Sequence, residues 1–409
     1  MKNPEKKTII LLDAHAIIHR AYHGMPDFTN SRGEPTGALY GICSMLFRII
    51  ETLHPYHIIA CYDLPEKTFR HEAYSAYKGT RRETDTALVE QIIKSREIFD
   101  AFNIPMLDSP GFEADDILGT LVHKVIVKHR SNYRIIIASG DMDTMQLIST
   151  DDVQLFTLKK SLNDTVLYNE QAVIDRYGFG PKLIPDYKGL RGDASDNIPG
   201  IPGIGEKTGT DLIVNFGSIE SLYETLEKNP EKLAEAGIKP RIVNLLTEHR
   251  DSAEFSKILA TIRTDAPVDF TVPTVSFLES IHIDSIKKFL TDCEFKSLIP
   301  RFTSLVANLH NHTENAPDIY VEQNQQIIAP DKSIINELGI MLWVWQSQYT
   351  NADWETITSV TGKSDPDEIR IYLIKQLQDS GLWDIYQNIE QPLIAILAEM
   401  KQVGVYIDT

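Results

Sequence analysis

Residues 8–13 read TIILLD, a short, largely apolar and partly β-branched run that stops on an aspartate. Two more runs share that design: HIIACY at 57–62, followed by Asp63, and RIIIA at 134–138, followed by Asp141 and Asp143. Each is bounded by polar or turn residues, the pattern of strands buried on both faces. Helical patterns at 37–53 and 86–102 lie between them. This alternation predicts a doubly wound, mostly parallel α/β sheet with helices on both faces. In such sheets ligands bind beyond the carboxyl ends of the strands, and that is where these aspartates fall.

Outward from this core the pattern changes near residue 170. Helices are predicted near 206–216, 218–227, 240–249 and 251–262, with the Gly/Pro-rich NIPGIPGIGEKTG at 197–209 leading into the first. Residues 307–332 are polar and rich in Asn, Gln, His and Pro, as linkers are. Residues 333–409 read as helical, with Trp343, Trp345 and Trp354 close together. The expected division is therefore an α/β domain at 1–170, a helix–hairpin–helix subdomain at 171–306, a linker at 307–332 and a helical segment at 333–409.

The 409 residues are 42% hydrophobic and 24% charged, values that allow real cores. Cys43, Cys61 and Cys293 are far apart and odd in number, which gives neither a disulfide framework nor a zinc pattern. The apolar run before Asp13 is too short for a signal peptide or a membrane span. These features predict a cytoplasmic protein with no membrane contact. A net charge of −18 argues, as an average, against phosphate binding. A local basic stripe can still grip a backbone, so the placement of charge decides.

The acids gather at element ends. Besides Asp13, Asp63, Asp141 and Asp143, there are Glu113, Asp115 and Asp116 in GFEADDILGTL, and Asp193 and Asp196 in RGDASDN. A lone aspartate is ordinarily a solvated side chain or a helix cap. Nine acids at strand ends and helix starts would repel one another unless cations neutralised them. Oxygen ligands without His or Cys suit Mg²⁺ or Mn²⁺. Two such ions roughly 3.5–4 Å apart can clamp a phosphodiester.

Residues 67–82, KTFRHEAYSAYKGTRR, interleave Lys67, Arg70, Lys78, Arg81 and Arg82 with Phe69, Tyr74 and Tyr77. Cations with aromatics suit phosphates and unstacked bases, although an exposed basic loop would look the same. In PGIPGIGEKT, Gly200, Gly203 and Gly205 surround a tight turn with Lys207 at a helix start. Glycines allow close backbone approach, and helix N-terminal amides attract phosphate. An ordinary helix connection remains the plain alternative; a dinucleotide loop fits less well, because no strand precedes the glycines.

These stretches, with DAHAIIHRAYHG, SRGEPTGALYG, SGDMDTMQL and CEFKSLIPR, resemble in order the 5′ nuclease domain of bacterial DNA polymerase I, a relative of flap endonucleases. The resemblance covers about residues 6–303. It implies a PIN-like fold followed by a helix–hairpin–helix (H3TH) subdomain. It assigns metal ligation to Asp13, Asp63, Glu113, Asp115, Asp116, Asp141, Asp143, Asp193 and Asp196. It further implies that Lys78 and Arg81 stabilise the scissile phosphate, that Arg20, Arg70 and Tyr77 touch substrate near the cut, and that Gly203, Gly205 and Lys207 bind duplex DNA, with K⁺ at that hairpin. A helical arch is expected at about 75–105.

Residues 388–408 resemble the lead into a polymerase domain, and residues 331–385 a helical remnant of a 3′ exonuclease-like region. No polymerase palm follows in this sequence, so polymerisation by the chain alone is not expected, and it is read either as part of a longer polymerase or as a separate monomeric nuclease. The implied activity is Mg²⁺-dependent hydrolysis near DNA 5′ ends at flaps, nicks and RNA primers, in repair and replication. The alternatives are a catalytically silent DNA-binding module and a related PIN-type ribonuclease. A D-x-D phosphatase is disfavoured because Ala14 and His15 follow Asp13.

Overall fold

A computed structural model describes residues 6–25, 28–81, 84–149, 152–158, 165–312, 331–347, 349, 352, 354–361, 363, 365–393 and 396. They fall into two compact units, Met1–Glu314 and Asn315–Thr409.

The first unit is built on six strands: β1 Lys7–Asp13, β2 His57–Cys61, β3 Met106–Leu107, β4 Tyr133–Ala138, β5 Val153–Leu158 and β6 Thr165–Tyr168. Their order is β3-β2-β1-β4-β5-β6. The first five pair in parallel and β6 runs antiparallel on the edge. The three runs expected from sequence are the three central strands. The others carry weaker signals, because β3 is two residues long and β6 lies on the edge.

Helices α1 Ala14–Gly24, α2 Gly37–Leu53, α3 Phe69–Ala73, α4 Thr86–Ala101 and α5 Ala114–His129 connect the strands. The two-residue period of β1 sorts the layers. Ile10 and Leu12 pack into one core with α1, α2 and α4, while Ile9 and Leu11 pack into the other with α5. All four are fully buried, and burial of each such side chain contributes roughly 1.5–3 kcal/mol. The chain crosses from the β2–β3 side of β1 to β4, so the strand order reverses beside β1, where doubly wound sheets open a crevice.

The helical part comprises α6 Glu170–Tyr177, α7 Ile184–Arg191, α8 Glu206–Phe216, α9 Ile219–Lys228, α10 Glu231–Glu235, α11 Pro240–Glu248 and α12 Arg250–Ala260. Four of these match the sequence expectation to within about two residues. Helix α12 packs on α7 across Gly189, where an added Cβ would meet Ile219 Cδ1 at 2.6 Å and the Ala253 carbonyl at 2.9 Å. That close approach is why glycine stands there.

The end of the expected hairpin subdomain behaves differently. Helices α13 Phe277–Ser280, α14 Ile283–Asp292 and α15 Leu298–His312 join the core formed by α2 and α4. Ile286, Phe289, Leu290, Phe302 and Leu305 face that core, so this stretch belongs by packing to the α/β layer. Helix α15 also runs into the expected linker; residues 313–330 lie outside the described residues.

The second unit holds α16 Lys332–Trp345, α17 Trp354–Thr361 and α18 Pro366–Asp379 around Leu338, Leu342, Ile357, Ile369 and Leu373. Most of 388–408 lies outside the described residues. Among the described residues no helix is long and apolar enough to cross a membrane.

Candidate active site and metal centre

The acids at the carboxyl ends of the strands meet beside α5. Asp13 ends β1 and caps α1: its Oδ1 accepts the Ala16 amide at 2.9 Å, and its Oδ2 accepts the Ser139 hydroxyl at 2.7 Å. Asp63, two residues beyond β2, accepts the Ala114 amide at 2.8 Å and so ties β2 to the start of α5. Its own amide donates to His15 Nδ1 at 3.2 Å. Asp115 lies in the first turn of α5. Asp141 follows β4 and caps a 3₁₀ turn, Met142–Leu147, through the Asp143 amide at 2.9 Å.

These groups feel one another. Burial and then the Asp63 charge push the Asp13 carboxyl up to about 7. Burial and then the charges of Asp141, Asp13, Asp143 and Asp63 push Asp115 well above the usual carboxylate range. Burial and Asp141 raise Asp143 to about 6, against the pull of Lys188. Asp193 goes the other way: burial opposes its charge, but Lys188 and the Ser195 hydrogen bonds outweigh burial and hold it at about 2.

Asp193 and Asp196 sit on a tight hairpin closed by paired Asp193–Ile198 backbone hydrogen bonds of 2.9 and 2.8 Å. Glycine is required beneath it. Gly192 has φ +74, and a Cβ there would lie 2.6 Å from the Ile198 carbonyl; Gly200 has φ +60 and its Cβ would strike the Gly192 nitrogen. The Asp196 carbonyl receives the Lys78 amide at 2.9 Å, and Asn197 Nδ2 donates to the Ala76 carbonyl at 2.6 Å. The hairpin thereby fixes the basic loop. Lys78 itself holds φ +53, a conformation uncommon for a lysine.

On this side every acid has a cation. Lys78 Nζ donates to Glu113 Oε1 at 2.8 Å, and Arg81 Nη2 donates to Asp196 Oδ1 at 2.6 Å. The Tyr77 hydroxyl lies 3.2 Å from Glu113 and 3.1 Å from Asp196. Burial followed by those two charges keeps that phenol protonated far above its ordinary range. Burial opposes the Lys78 charge, but Glu113 and Asp196 outweigh it and raise its pKa.

Three sequence assignments need correction. Asp116 is 0% exposed and spends both oxygens on Arg70, at 2.8 and 2.9 Å. Those oxygens also accept the amides of Glu113 and Arg263. Asp116 is therefore a buried structural carboxylate, with no lone pair turned to an ion. Arg70 is 3% exposed and also donates to the carbonyls of Leu259 and Thr261, so it braces the fold and does not face a substrate. Tyr77, 3% exposed, likewise lies under the loop. Arg20 lies half-buried on α1. Arg82 and residue 83 lie outside the described residues, and α4 occupies residues 86–101 of the stretch expected as an arch.

Gly203 (φ +91), Gly205 and Lys207 are exposed around the start of α8, shortly after the Asp193–Ile198 hairpin. Gly205 caps α8 without a side chain, so the first-turn amides gain no side-chain acceptor there.

The donor set fits a hard divalent ion. It is all carboxylate oxygen, and burial with the neighbouring acids raises the proton affinity of Asp13, Asp115 and Asp143 in a way that a cation would relieve. Among the described residues no three Asp, Glu, His or Cys side chains close around a single point tightly enough to cage an ion. Asp63 is engaged with the Ala114 amide and Asp13 with Ser139, while Lys188 bridges Asp143 and Asp193. Sequence reasoning missed Lys188, Ser139 and His15. Lys188 had a usable signal: it is the lysine of KGLRGDASDN, at the end of a helix five residues before Asp193.

Residues 8–178 match the 5′-3′ exonuclease N-terminal resolvase-like domain, and residues 179–281 match the 5′-3′ exonuclease C-terminal SAM fold. DNA polymerase I of Bacillus subtilis (strain 168) is 33% identical over 340 residues, 82% of this chain and 37% of that polymerase. DNA polymerase I of Bacillus caldotenax is 38% identical over 273 residues, 66% of this chain and 30% of that polymerase. The chain thus spans about a third of the length of these relatives. Among solved structures, the bacteriophage T5 5′-exonuclease with bound zinc aligns at TM-score 0.50 and 21% identity, over 74% of this chain and 99% of that one. A T5 flap endonuclease in a pseudo-enzyme–product complex with DNA and metal ions aligns at TM-score 0.50 and 20% identity, over 75% of this chain and 100% of that one. At that identity the likeness shows a shared fold. Two consecutive family matches, each falling on the half of the site described above, place this chain in the 5′-3′ exonuclease family, the kind of domain carried by DNA polymerase I.

Proposed function

We propose that this chain hydrolyses DNA phosphodiesters near 5′ ends, as a Mg²⁺- or Mn²⁺-dependent 5′-3′ exonuclease and flap endonuclease. The observation that carries the reading is the gathering of Asp13, Asp63, Asp115, Asp141 and Asp143 at the carboxyl edge of the sheet, where burial and neighbouring charge raise the proton affinity of Asp13, Asp115 and Asp143. Folding that many like charges together is costly unless their occupant is a cation. The metal-ion relatives named above support the same assignment.

The residues divide the work. Asp13, Asp63, Asp115, Asp141, Asp143 and Asp193 are the ligand set; Glu113 and Asp196, also expected from sequence as ligands, are instead ion-paired with Lys78 and Arg81. When bound, divalent ions supply an activated water and charge neutralisation at the phosphate. Glu113 and Asp196 hold Lys78 and Arg81 at the rim of that set. An incoming phosphodiester competes with these two acids for the two cations, which then stabilise the extra charge of the transition state. Gly203, Gly205, Lys207 and the α8 amides grip duplex backbone, with a K⁺ ion as the expected bridge. Arg20 on α1 is kept as a contact near the cut. The natural substrates are flaps, nicks and RNA primers in repair and replication. The chain acts as a monomer, joined to or beside a polymerase region.

The test uses the full chain and a labelled 5′-flap duplex, with Mg²⁺, Mn²⁺ or EDTA. Cleavage near the junction with either ion and none in EDTA is expected, and Asp141→Asn should bind the duplex without cutting it. Tight binding with no cleavage by the wild type would favour a silent DNA-binding module. Preference for an RNA hairpin would favour a ribonuclease.

A further inference from the structure

Lys188 lies in the last turn of α7, with a side chain only 14% exposed. Its ammonium group donates to Asp143 Oδ1 and, at 2.5 Å, to Asp193 Oδ2. The two aspartates are 50 positions apart, one on the turn after β4 and one on the glycine-braced hairpin. Among the described residues no other cationic side chain is shown bonded to either one. Among the described residues no lysine or arginine is bonded in the same way to the remaining acids of that wall, Asp13, Asp63, Asp115 and Asp141. A single buried cation thus bridges two carboxylates that belong to the proposed ligand set.

We propose that Lys188 is a built-in counter-ion that holds Asp143 and Asp193 together in the ion-free protein and competes with a divalent cation for both carboxylates. This rests on the metal reading above. An ammonium offers one charge and up to three donors, whereas Mg²⁺ or Mn²⁺ brings two charges and takes the same oxygens. Where the ion takes the two oxygens that Lys188 holds, Asp143 Oδ1 and Asp193 Oδ2, the lysine must withdraw. The ion-free fold gains by avoiding two adjacent buried anions, and the ion binds more weakly in consequence. Lys188 is then a positioning residue that sets the ion concentration at which the site fills.

The test is Mn²⁺ binding to the full chain without DNA, by electron paramagnetic resonance of free Mn²⁺, for wild type, Lys188→Met and Lys188→Arg. Lys188→Met should bind at least one ion roughly tenfold more tightly, equivalent to about 1.4 kcal/mol, and Lys188→Arg should stay near wild type. Thermal melts in EDTA and in saturating Mn²⁺ give a second readout: Lys188→Met should melt lower than wild type in EDTA, with the gap narrowed or reversed by Mn²⁺. Unchanged or weaker Mn²⁺ affinity, or an equal loss of stability with and without Mn²⁺, would overturn the counter-ion role. If Lys188→Met does not fold, Lys188→Gln takes its place under the same criteria. Absence of Mn²⁺ binding by the wild type would sink the metal reading itself, an outcome distinct from wild-type binding that Lys188→Met leaves unchanged.

Discussion

Glu113, Asp115 and Asp116 lie within four positions at the start of one helix, yet they end in two different chemistries. Asp115 turns into a wall of acids, where burial and like charge raise its proton affinity. Glu113 and Asp116 turn the other way, into a cluster where Lys78, Arg70 and Tyr77 meet every oxygen. The first region is repulsive until a cation arrives; the second is already neutral. Carboxylates from one motif therefore divide between a frustrated site and the brace that holds its rim in place. A frustrated patch supported by a satisfied one is what a binding centre requires, because the strain must be carried elsewhere in the fold.

The contrast breaks most visibly in the satisfied region. Arg70→Met leaves the Asp116 carboxylate buried without its cation, and removing one partner of such a pair costs about 3–5 kcal/mol. Denaturant unfolding in EDTA should show that loss, and a change under about 1 kcal/mol would mean the pair is not structural. Lys78→Ala should reduce kcat on a 5′-flap duplex by about 10²–10³, the effect of losing one donor to a developing oxyanion, while cutting at the wild-type rate would remove Lys78 from the chemistry.

In the repulsive region the sign on stability reverses. Asp115→Asn should stabilise the ion-free protein, because burial and the charges of Asp141, Asp13, Asp143 and Asp63 all oppose that carboxylate's charge, and should abolish cleavage. A loss of stability in EDTA would contradict the frustrated-site description.

The same repulsion sets a pH slope. Asp13 and Asp143 hold their protons to about 7 and about 6 in the folded chain, above the value near 4 expected when unfolded. Between those limits the folded state binds more protons, so their contribution falls as pH rises. In EDTA, wild type should lose on the order of 1 kcal/mol relative to an Asp13→Asn/Asp143→Asn variant between about pH 5 and pH 7. A parallel pair of pH profiles would exclude it. The smallest effect is expected at the α8 start: Lys207→Ala should weaken duplex affinity a few-fold and lower the salt slope by about one ion, with kcat at saturation unchanged.

How much of this was legible in sequence follows from what sequence can encode. The runs at 8–12, 57–62 and 134–138 announced the central strands because buried parallel strands are continuous apolar segments. β3 and β6 were not legible, one being two residues long and the other an exposed edge. The acids were legible as a set because each follows a strand or starts a helix. Their division was not: whether a carboxylate at the start of α5 faces Asp141 or Arg70 depends on a helix rotation and on Leu259 and Thr261, some 190 positions from Arg70. Residues 277–306 read as a continuation of the helical hairpin, since local pattern does not say which layer a helix joins.

The central claim, that one wall of this site is built for divalent ions while its neighbour is built to be neutral without them, is most directly tested by anomalous diffraction from crystals of the full chain soaked in Mn²⁺. The account predicts Mn²⁺ peaks against Asp115, Asp141 and their neighbours, with Lys188 withdrawn from Asp143 and no peak at Asp116. Mn²⁺ bound at Asp116 with Arg70 displaced, or an empty acid wall at saturating ion, would contradict it.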